Sequence, residues 1–142
     1  MKNQKTMGNK GFSLVELIVV IAIMAVLVGV LAPQFIRYVD RSRCSTDIQN
    51  MNEIKSAIEV YATDNTVADF SVTIPAATTS YTVTDTSLAG ALSDAGLPSD
   101  KITLKSNKWG AITISYSSTS GVTLSGTTST AVGGKTFNIS GN

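Results

Sequence analysis

The chain has 142 residues, enough for one modest domain, and its formal net charge is +1. So small a charge creates no overall field that would attract nucleic acid or an acidic substrate. The sequence contains no histidine and one cysteine, Cys44. It therefore lacks the commonest general base and metal ligand and cannot form an intrachain disulfide, which argues against an enzyme and against a cofactor or metal site.

An apolar run dominates the N-terminal part of the sequence. Residues Leu17 to Pro33 include no charged or polar side chain, and apolar neighbours extend the run to about 24 residues between Phe12 and Ile36. As a helix this run would span about 36 Å, more than the hydrocarbon core of a bilayer requires. It is too long for a cleaved secretory signal, and Pro33 directly follows the one acceptable cleavage sequence, Val30-Leu31-Ala32. The run predicts a helix buried all round, in lipid or among other helices.

Glu16 lies near the start of this run, where a carboxylate is costly: about 2.5–3.5 kcal/mol at mid-bilayer and less near the interface. The preceding residues are Lys10-Gly11-Phe12, after two further lysines, Lys2 and Lys5. This combination of a basic leader, Gly, Phe, Glu four residues on and an apolar helix resembles the class III signal of type IV pilins and related pseudopilins. The specific resemblance covers Lys10 to Pro33. From the residues alone, Glu16 could instead simply occupy a helix N-terminus, where negative charge is tolerated.

The resemblance implies a processing and assembly mechanism. A prepilin peptidase would cut between Gly11 and Phe12 and N-methylate the new Phe12 amine. Glu16 would then neutralise the Phe12 amine of a neighbouring copy as the chains polymerise. The leader would stay cytoplasmic and the C-terminal part would lie outside, first on the membrane and then in a surface fimbrium. The partners implied are the chain itself, the peptidase, the membrane, and a pilus assembly platform with its ATPase.

Gly29 and Pro33 predict a weak point in the helix, because Pro removes a backbone hydrogen bond and loosens the preceding turn. The resemblance implies local unwinding there once the subunit packs in a filament. A simple kink at the membrane surface is the alternative.

The remaining sequence predicts an α+β head. Apolar residues recur every three or four positions through residues 36–63, which indicates an amphipathic second half of the helix, ending near Asp64-Asn65. The predicted organisation is a leader at 1–11, a membrane and polymerisation helix at 12–35 and a head at 36–142. Within the head, residues 64–100 form a connecting region and 101–142 an antiparallel sheet packed on the helix. Strands are predicted at Phe70–Ile74, Tyr81–Thr84, Lys101–Lys105, Trp109–Ser117, Gly121–Ser125 and Lys135–Ser140, and a short helix at Ser87–Ala95.

Other candidate residues favour structural roles. Trp109 and Tyr116 are predicted as core or sheet-surface aromatics rather than a binding surface. The only charges after Asp100 are Lys101, Lys105, Lys108 and Lys135, which favour a solvated face over contact with DNA. Cys44 is predicted to be an inert or partly exposed thiol. Asn138-Ile139-Ser140 is a bare glycosylation sequon.

Three functions remain open after this reasoning. The first is a structural subunit of a type IV pilus that serves adhesion, motility or aggregation. The second is a pseudopilin of a secretion or DNA-uptake apparatus. The third is a membrane-anchored surface domain that never polymerises.

Overall fold

A computed structural model describes residues 11–141 of the chain. One long helix, α1, runs from Leu14 to Asp64 and is followed by a short helix, α2 (Thr86–Asp94), and six strands. The strands are β1 (Phe70–Ile74), β2 (Ser80–Thr82), β3 (Lys101–Thr103), β4 (Ile112–Ser117), β5 (Gly121–Thr127) and β6 (Asn138–Gly141). This is the predicted α+β arrangement of a long N-terminal helix followed by antiparallel strands. The chain divides between Ile36 and Arg37 into two units, the second of which is the head.

The head contains two antiparallel sheets. Four strands form the main sheet in the order β1-β4-β5-β6, and β2 and β3 form a separate two-stranded ribbon. Within the main sheet, Val72 is opposite Ile114, and Ile114 is opposite Leu124. All three side chains are buried, which fixes the register because a shift of one residue would expose the entire apolar set.

The main sheet joins a strand from the predicted connecting region with strands from the predicted sheet. Strand β1, from the connecting region, is an edge strand of the main sheet, paired with β4. Strand β3, predicted within the main sheet, pairs with β2 instead. The pattern of alternation identified both strands but carries no information about which strands pair, since that depends on contacts distant in sequence.

The second half of α1 supplies one wall of the core. Its buried face consists of Cys44, Asp47, Met51, Ile54, Ala57 and Ile58. These residues follow the helical repeat, and the cysteine, methionine and isoleucines among them pack with the inner face of the sheet and with Leu88, Ala91 and Leu92 of α2. Asn65 follows the last residue of the helix. Its side-chain amide and its backbone N–H both donate to the Tyr61 carbonyl, at 3.2 and 3.0 Å, and so satisfy one of the last carbonyls of α1.

Candidate functional site

The start of α1 is held by a reciprocal capping arrangement. The backbone N–H of Ser13 donates to Glu16 Oε2 at 2.8 Å, and the Ser13 hydroxyl accepts from the Val15 N–H at 3.3 Å. The Ser13 carbonyl accepts the first intrahelical bond, from the Leu17 N–H at 3.2 Å. Ser13 and Glu16 thus form a capping box, the pairing that satisfies the free N–H groups of a first helical turn. The Glu16 carboxylate is oriented by its own chain.

Gly11 and Phe12 precede this cap and are exposed, Phe12 at 93%. A Cβ built on Gly11 would meet no heavy atom within 4 Å, and Gly11 has no positive φ. The subunit's own fold therefore does not require glycine at this position. A requirement for glycine at this position would have to come from another molecule that binds or processes the chain.

The first half of α1 exposes an apolar surface on all sides. Every large apolar side chain from Phe12 to Ile36 is exposed, by between 48% for Val20 and 93% for Phe12. In the part of the chain that the structure describes, α1 is the one helix long and apolar enough to cross a membrane, by length and composition. A surface of this extent is far larger than the apolar patches that soluble monomers expose.

Gly29 and Pro33 lie inside a helix that continues through both of them. Gly29 has no neighbouring atom within 4 Å of a built Cβ, so close packing within this chain does not explain it. The expected helix break is not present as an interruption in the isolated subunit. Unwinding in an assembled filament remains a prediction.

Asp47 is a buried carboxylate whose role the sequence reasoning missed. It is 0% exposed, and its oxygens accept bonds from the Lys105 N–H at 2.5 Å, the Ser106 N–H at 2.9 Å and the Trp109 indole N–H at 2.8 Å. The sequence indicates the burial of Asp47 only by its place in the helical repeat, on the same stripe as the core residues Cys44 and Met51. This carboxylate fastens the loop between β3 and β4 to α1.

Cys44 is fully buried, which agrees with the predicted inert thiol and not with the partly exposed alternative. Its Sγ donates to Ser106 Oγ at 3.4 Å, in the same loop that Asp47 holds. Burial raises the pKa of the Cys44 thiol, an effect that the bond to Ser106 opposes and that nearby Asp47 and Asp40 reinforce. A buried thiol with a raised pKa is unreactive.

The remaining candidate residues belong to the head. Trp109 is 1% exposed and belongs to the core, and Tyr116 is half-buried and stacks on Phe70 with 6.1 Å between ring centroids. Both aromatics therefore have the structural places predicted for them. Lys101, Lys105, Lys108 and Lys135 are all exposed, as is Asn138 of the sequon. Among residues 11–141, no three acidic, cysteine or histidine side chains are grouped so as to hold a metal ion.

These features define a class of protein: an α+β subunit whose N-terminal helix exposes an apolar surface and begins with a capped carboxylate. Comparison with known sequences agrees with this class. Residues 6–32 match the family model described as "Prokaryotic N-terminal methylation motif". No solved structure matches the chain.

Curated relatives match over part of their length. A type IV major fimbrial protein FimA from Dichelobacter nodosus is 37% identical over 60 residues, 42% of this chain and 38% of the relative. Prepilin peptidase-dependent protein A from Clostridium perfringens strain 13 is 36% identical over 58 residues, 41% of each chain. The chain thus spans about two-fifths of the length of the relatives it matches. The chain is thus similar to a type IV fimbrial protein over about two-fifths of its length and carries the N-terminal methylation motif at residues 6–32.

Proposed function

We propose that the chain is the structural subunit of a type IV pilus. A prepilin peptidase cleaves it between Gly11 and Phe12 and methylates the Phe12 amine, and an assembly platform with its ATPase then polymerises it through residues 12–35. The surface filament serves adhesion, motility or aggregation. The observation that carries this proposal is the placement of Glu16, a capped carboxylate four residues after Phe12, at the start of an exposed apolar helix.

The energetics of such a helix favour a deciding role for Glu16. About twenty apolar side chains, each worth about 1.5–3 kcal/mol of burial, keep the helix out of water. This term largely cancels between membrane and filament, because lipid tails are as apolar as leucine. The few kcal/mol from pairing Glu16 with a cationic amine do not cancel, so they can select the filament and its register.

The capping box supports this role by orienting the carboxylate. Ser13, which donates to Glu16 Oε2, directly follows Phe12, so cleavage would create the amine one residue before a group that Glu16 already contacts. The carboxylate is thus held at the end of the helix where the new amines of assembled copies would lie. It also has a second role, helix capping, that an experiment must separate from charge.

Intact-mass measurement tests the processing step. Chains from the membrane and surface fractions should lack residues 1–11 and carry one added methyl group. Retention of residues 1–11 in both fractions would contradict the pilus proposal and the pseudopilin alternative alike. Microscopy with an antibody against the head separates the pilus subunit from the pseudopilin. The antibody should decorate long surface filaments only if the chain is a pilus subunit.

Glu16→Gln tests the charge while keeping an acceptor for the Ser13 N–H. We expect processed chain in the membrane and no filaments, because the amide cannot neutralise an ammonium group. The matched control is Ser13→Ala, which removes the hydroxyl of the capping box and keeps the carboxylate; it should still form filaments. Normal filaments from Glu16→Gln would show that Glu16 acts only as a cap.

A further inference from the structure

A groove lies in the head between the C-terminal part of α1 and α2. Its volume is about 830 Å³. Its apolar lining includes Ala57, Val60 and Ala91, and its charged lining consists of three exposed carboxylates, Glu53, Asp64 and Asp94. The groove therefore suits an occupant that is apolar in part and carries positive charge.

Val60 is the exposed apolar side chain of the groove. It is 64% exposed, and among residues 39–141 it is the only large apolar side chain in the exposed class. The other large apolar side chains of residues 39–141 are buried or half-buried.

The other end of the head offers a matching surface. Tyr38 is 63% exposed, and the Arg41 guanidinium lies over its ring, 5.9 Å from the centroid. Arg41 also donates to the Gly133 carbonyl, which places the turn before Lys135 at this end. The Asp47 bond to the Lys105 N–H brings the loop that carries Lys105 and Lys108 to the same end.

Charge is thus segregated along α1. The basic end, defined by Arg37, Arg41, Arg43, Lys105, Lys108 and Lys135, includes two acids: Asp47, which is buried, and Asp40, which pairs with Arg43 at 3.8 Å. The groove end carries Glu53, Asp64 and Asp94, with Lys55 paired to Glu59 at 3.7 Å and with Lys101 lining the neighbouring pocket beside Glu53, so that acids outnumber bases there. Two copies placed side by side without a shift would bring like charges together, which is unfavourable.

A copy shifted along the helix would bring the two surfaces together. Tyr38 and Val60 are 22 positions apart on α1. This separation is about 33 Å along the axis, and at 3.6 residues per turn the two side chains lie within about 40° of the same helix face. The side chains between them on this face include Ser42, Gln49 and Ser56, which are exposed and uncharged.

We propose that the Val60 groove receives the Tyr38–Arg41 end of a second copy of this chain, displaced along α1 by about the Tyr38-to-Val60 distance. The contact is heterologous, because different surfaces of the two copies meet, and repetition therefore builds an open filament rather than a closed dimer. This inference rests on the proposed pilus function and names the contact between heads that fixes the axial shift.

Cysteine cross-linking of the full chain in the producing cell tests the contact. Ser42→Cys marks the basic end, and Thr63→Cys, beside the groove residue Asp64, marks the groove. Both positions are exposed, and the proposed shift of about 33 Å brings them to nearly the same level along the axis. With a short bismaleimide, the double variant should give a ladder of covalent oligomers, whereas each single variant should give none. Buried Cys44 keeps the unaltered chain unreactive. The matched control pairs Thr63→Cys with Ser71→Cys, exposed on β1, and should give no ladder.

Charge reversal provides a second test. Glu53→Lys, in the groove, should reduce the amount of chain in filaments by at least about tenfold through like-charge repulsion, while processed chain accumulates in the membrane. Asp100→Lys makes the same change outside the groove and should leave the filaments unaffected.

The outcomes separate this inference from the proposed function. If the unaltered chain forms filaments but the double-cysteine variant gives no ladder, the groove contact is wrong and the pilus function stands. Dimers from a single-cysteine variant would show that the same surface of both copies meets in a two-fold contact, which would contradict the heterologous contact. A further outcome would overturn the groove contact. If the cysteine pair gives no ladder and Arg41→Ala weakens binding of the chain to anionic vesicles, the basic end binds lipid and not a second copy. Absence of filaments from the unaltered chain would overturn the pilus function itself.

Discussion

The Trp109 indole N–H donates to Asp47 Oδ2 at 2.8 Å and thereby joins the loop before β4 to the middle of α1. Both residues are at most 1% exposed. The same carboxylate accepts two backbone N–H groups, from Lys105 and Ser106, so one side chain satisfies three buried donors. A buried charge is tolerated only where such partners surround it.

Asp47→Ala should destabilise the head by about 3 kcal/mol or more, because it leaves three donors without an acceptor. Trp109→Phe should cost less, about 1–2 kcal/mol, because the carboxylate keeps both backbone donors and the aromatic ring is largely replaced. Urea denaturation of the full chain in detergent, followed by near-UV circular dichroism, measures both. Equal losses in the two variants would show that packing, and not the carboxylate, holds this loop.

Gly133 should be intolerant of a side chain for two separable reasons. Its φ is +58°, and a Cβ there would lie 2.6 Å from Arg41 Nε. Gly134→Ala is the matched control, since its φ is +84° but no atom lies within 4 Å of the added carbon. We expect Gly134→Ala to cost about 1–2 kcal/mol from backbone strain alone, and Gly133→Ala to cost more.

Arg41→Ala completes this comparison as a double-mutant cycle. In the Arg41→Ala background, the extra cost of Gly133→Ala over Gly134→Ala should disappear, because the atom that the new Cβ displaces is gone. Thermal unfolding measures all of these variants. If the difference between the two glycine variants persisted without Arg41, the steric explanation would fail.

Local patterns predicted the elements of this fold well. The end of α1 at Asp64 and the bounds of β1, Phe70–Ile74, agree with the structure, because periodicity and helix-stop residues act over a few positions. The pairing of β1 with β4 and of β3 with β2 was not predictable in this way. Those pairings depend on contacts between distant segments, which one sequence does not encode locally.

The candidate site was predictable in its residues but not in its contacts. Ser13 and Glu16 have the spacing of a capping box, a local signal that the interpretation of Glu16 as an assembly residue passed over. Asp47 lies on the buried stripe of α1, whereas its charge alone would favour the polar side of the helix. Only the donors of a distant loop make a carboxylate stable there, and the helix sequence does not reveal them.

Cys44 should resist thiol reagents in the folded protein. Burial raises its pKa, so at mildly alkaline pH the folded chain keeps the thiol protonated while the unfolded chain begins to form the reactive thiolate. Maleimide labelling should therefore proceed at the rate of unfolding and become fast in denaturant. Cys44→Ser is the control for labelling of other groups. Rapid labelling under native conditions would contradict the burial of this residue.

Asp69 should make a stability contribution that depends on pH. Its carboxylate accepts bonds from the Ser118 N–H at 2.8 Å and the Ser117 hydroxyl at 3.0 Å, and these bonds hold the pKa of Asp69 below its usual value. Because the folded pKa is the lower one, the unfolded chain takes up the proton first as pH falls. The stabilisation is complete above the unfolded pKa and is lost as pH falls through the folded one.

The Tm difference between the unaltered chain and Asp69→Asn measures this contribution. It should be constant near neutral pH and should shrink as pH falls below about 4 and through the lowered folded pKa, because the variant has no proton to take up at this position. Asp94→Asn, which removes an exposed carboxylate from α2, controls for the general effect of losing one charge. A difference that stayed constant down to the lowest pH would mean that the bonds from Ser117 and Ser118 do not distinguish the charged from the neutral carboxyl group.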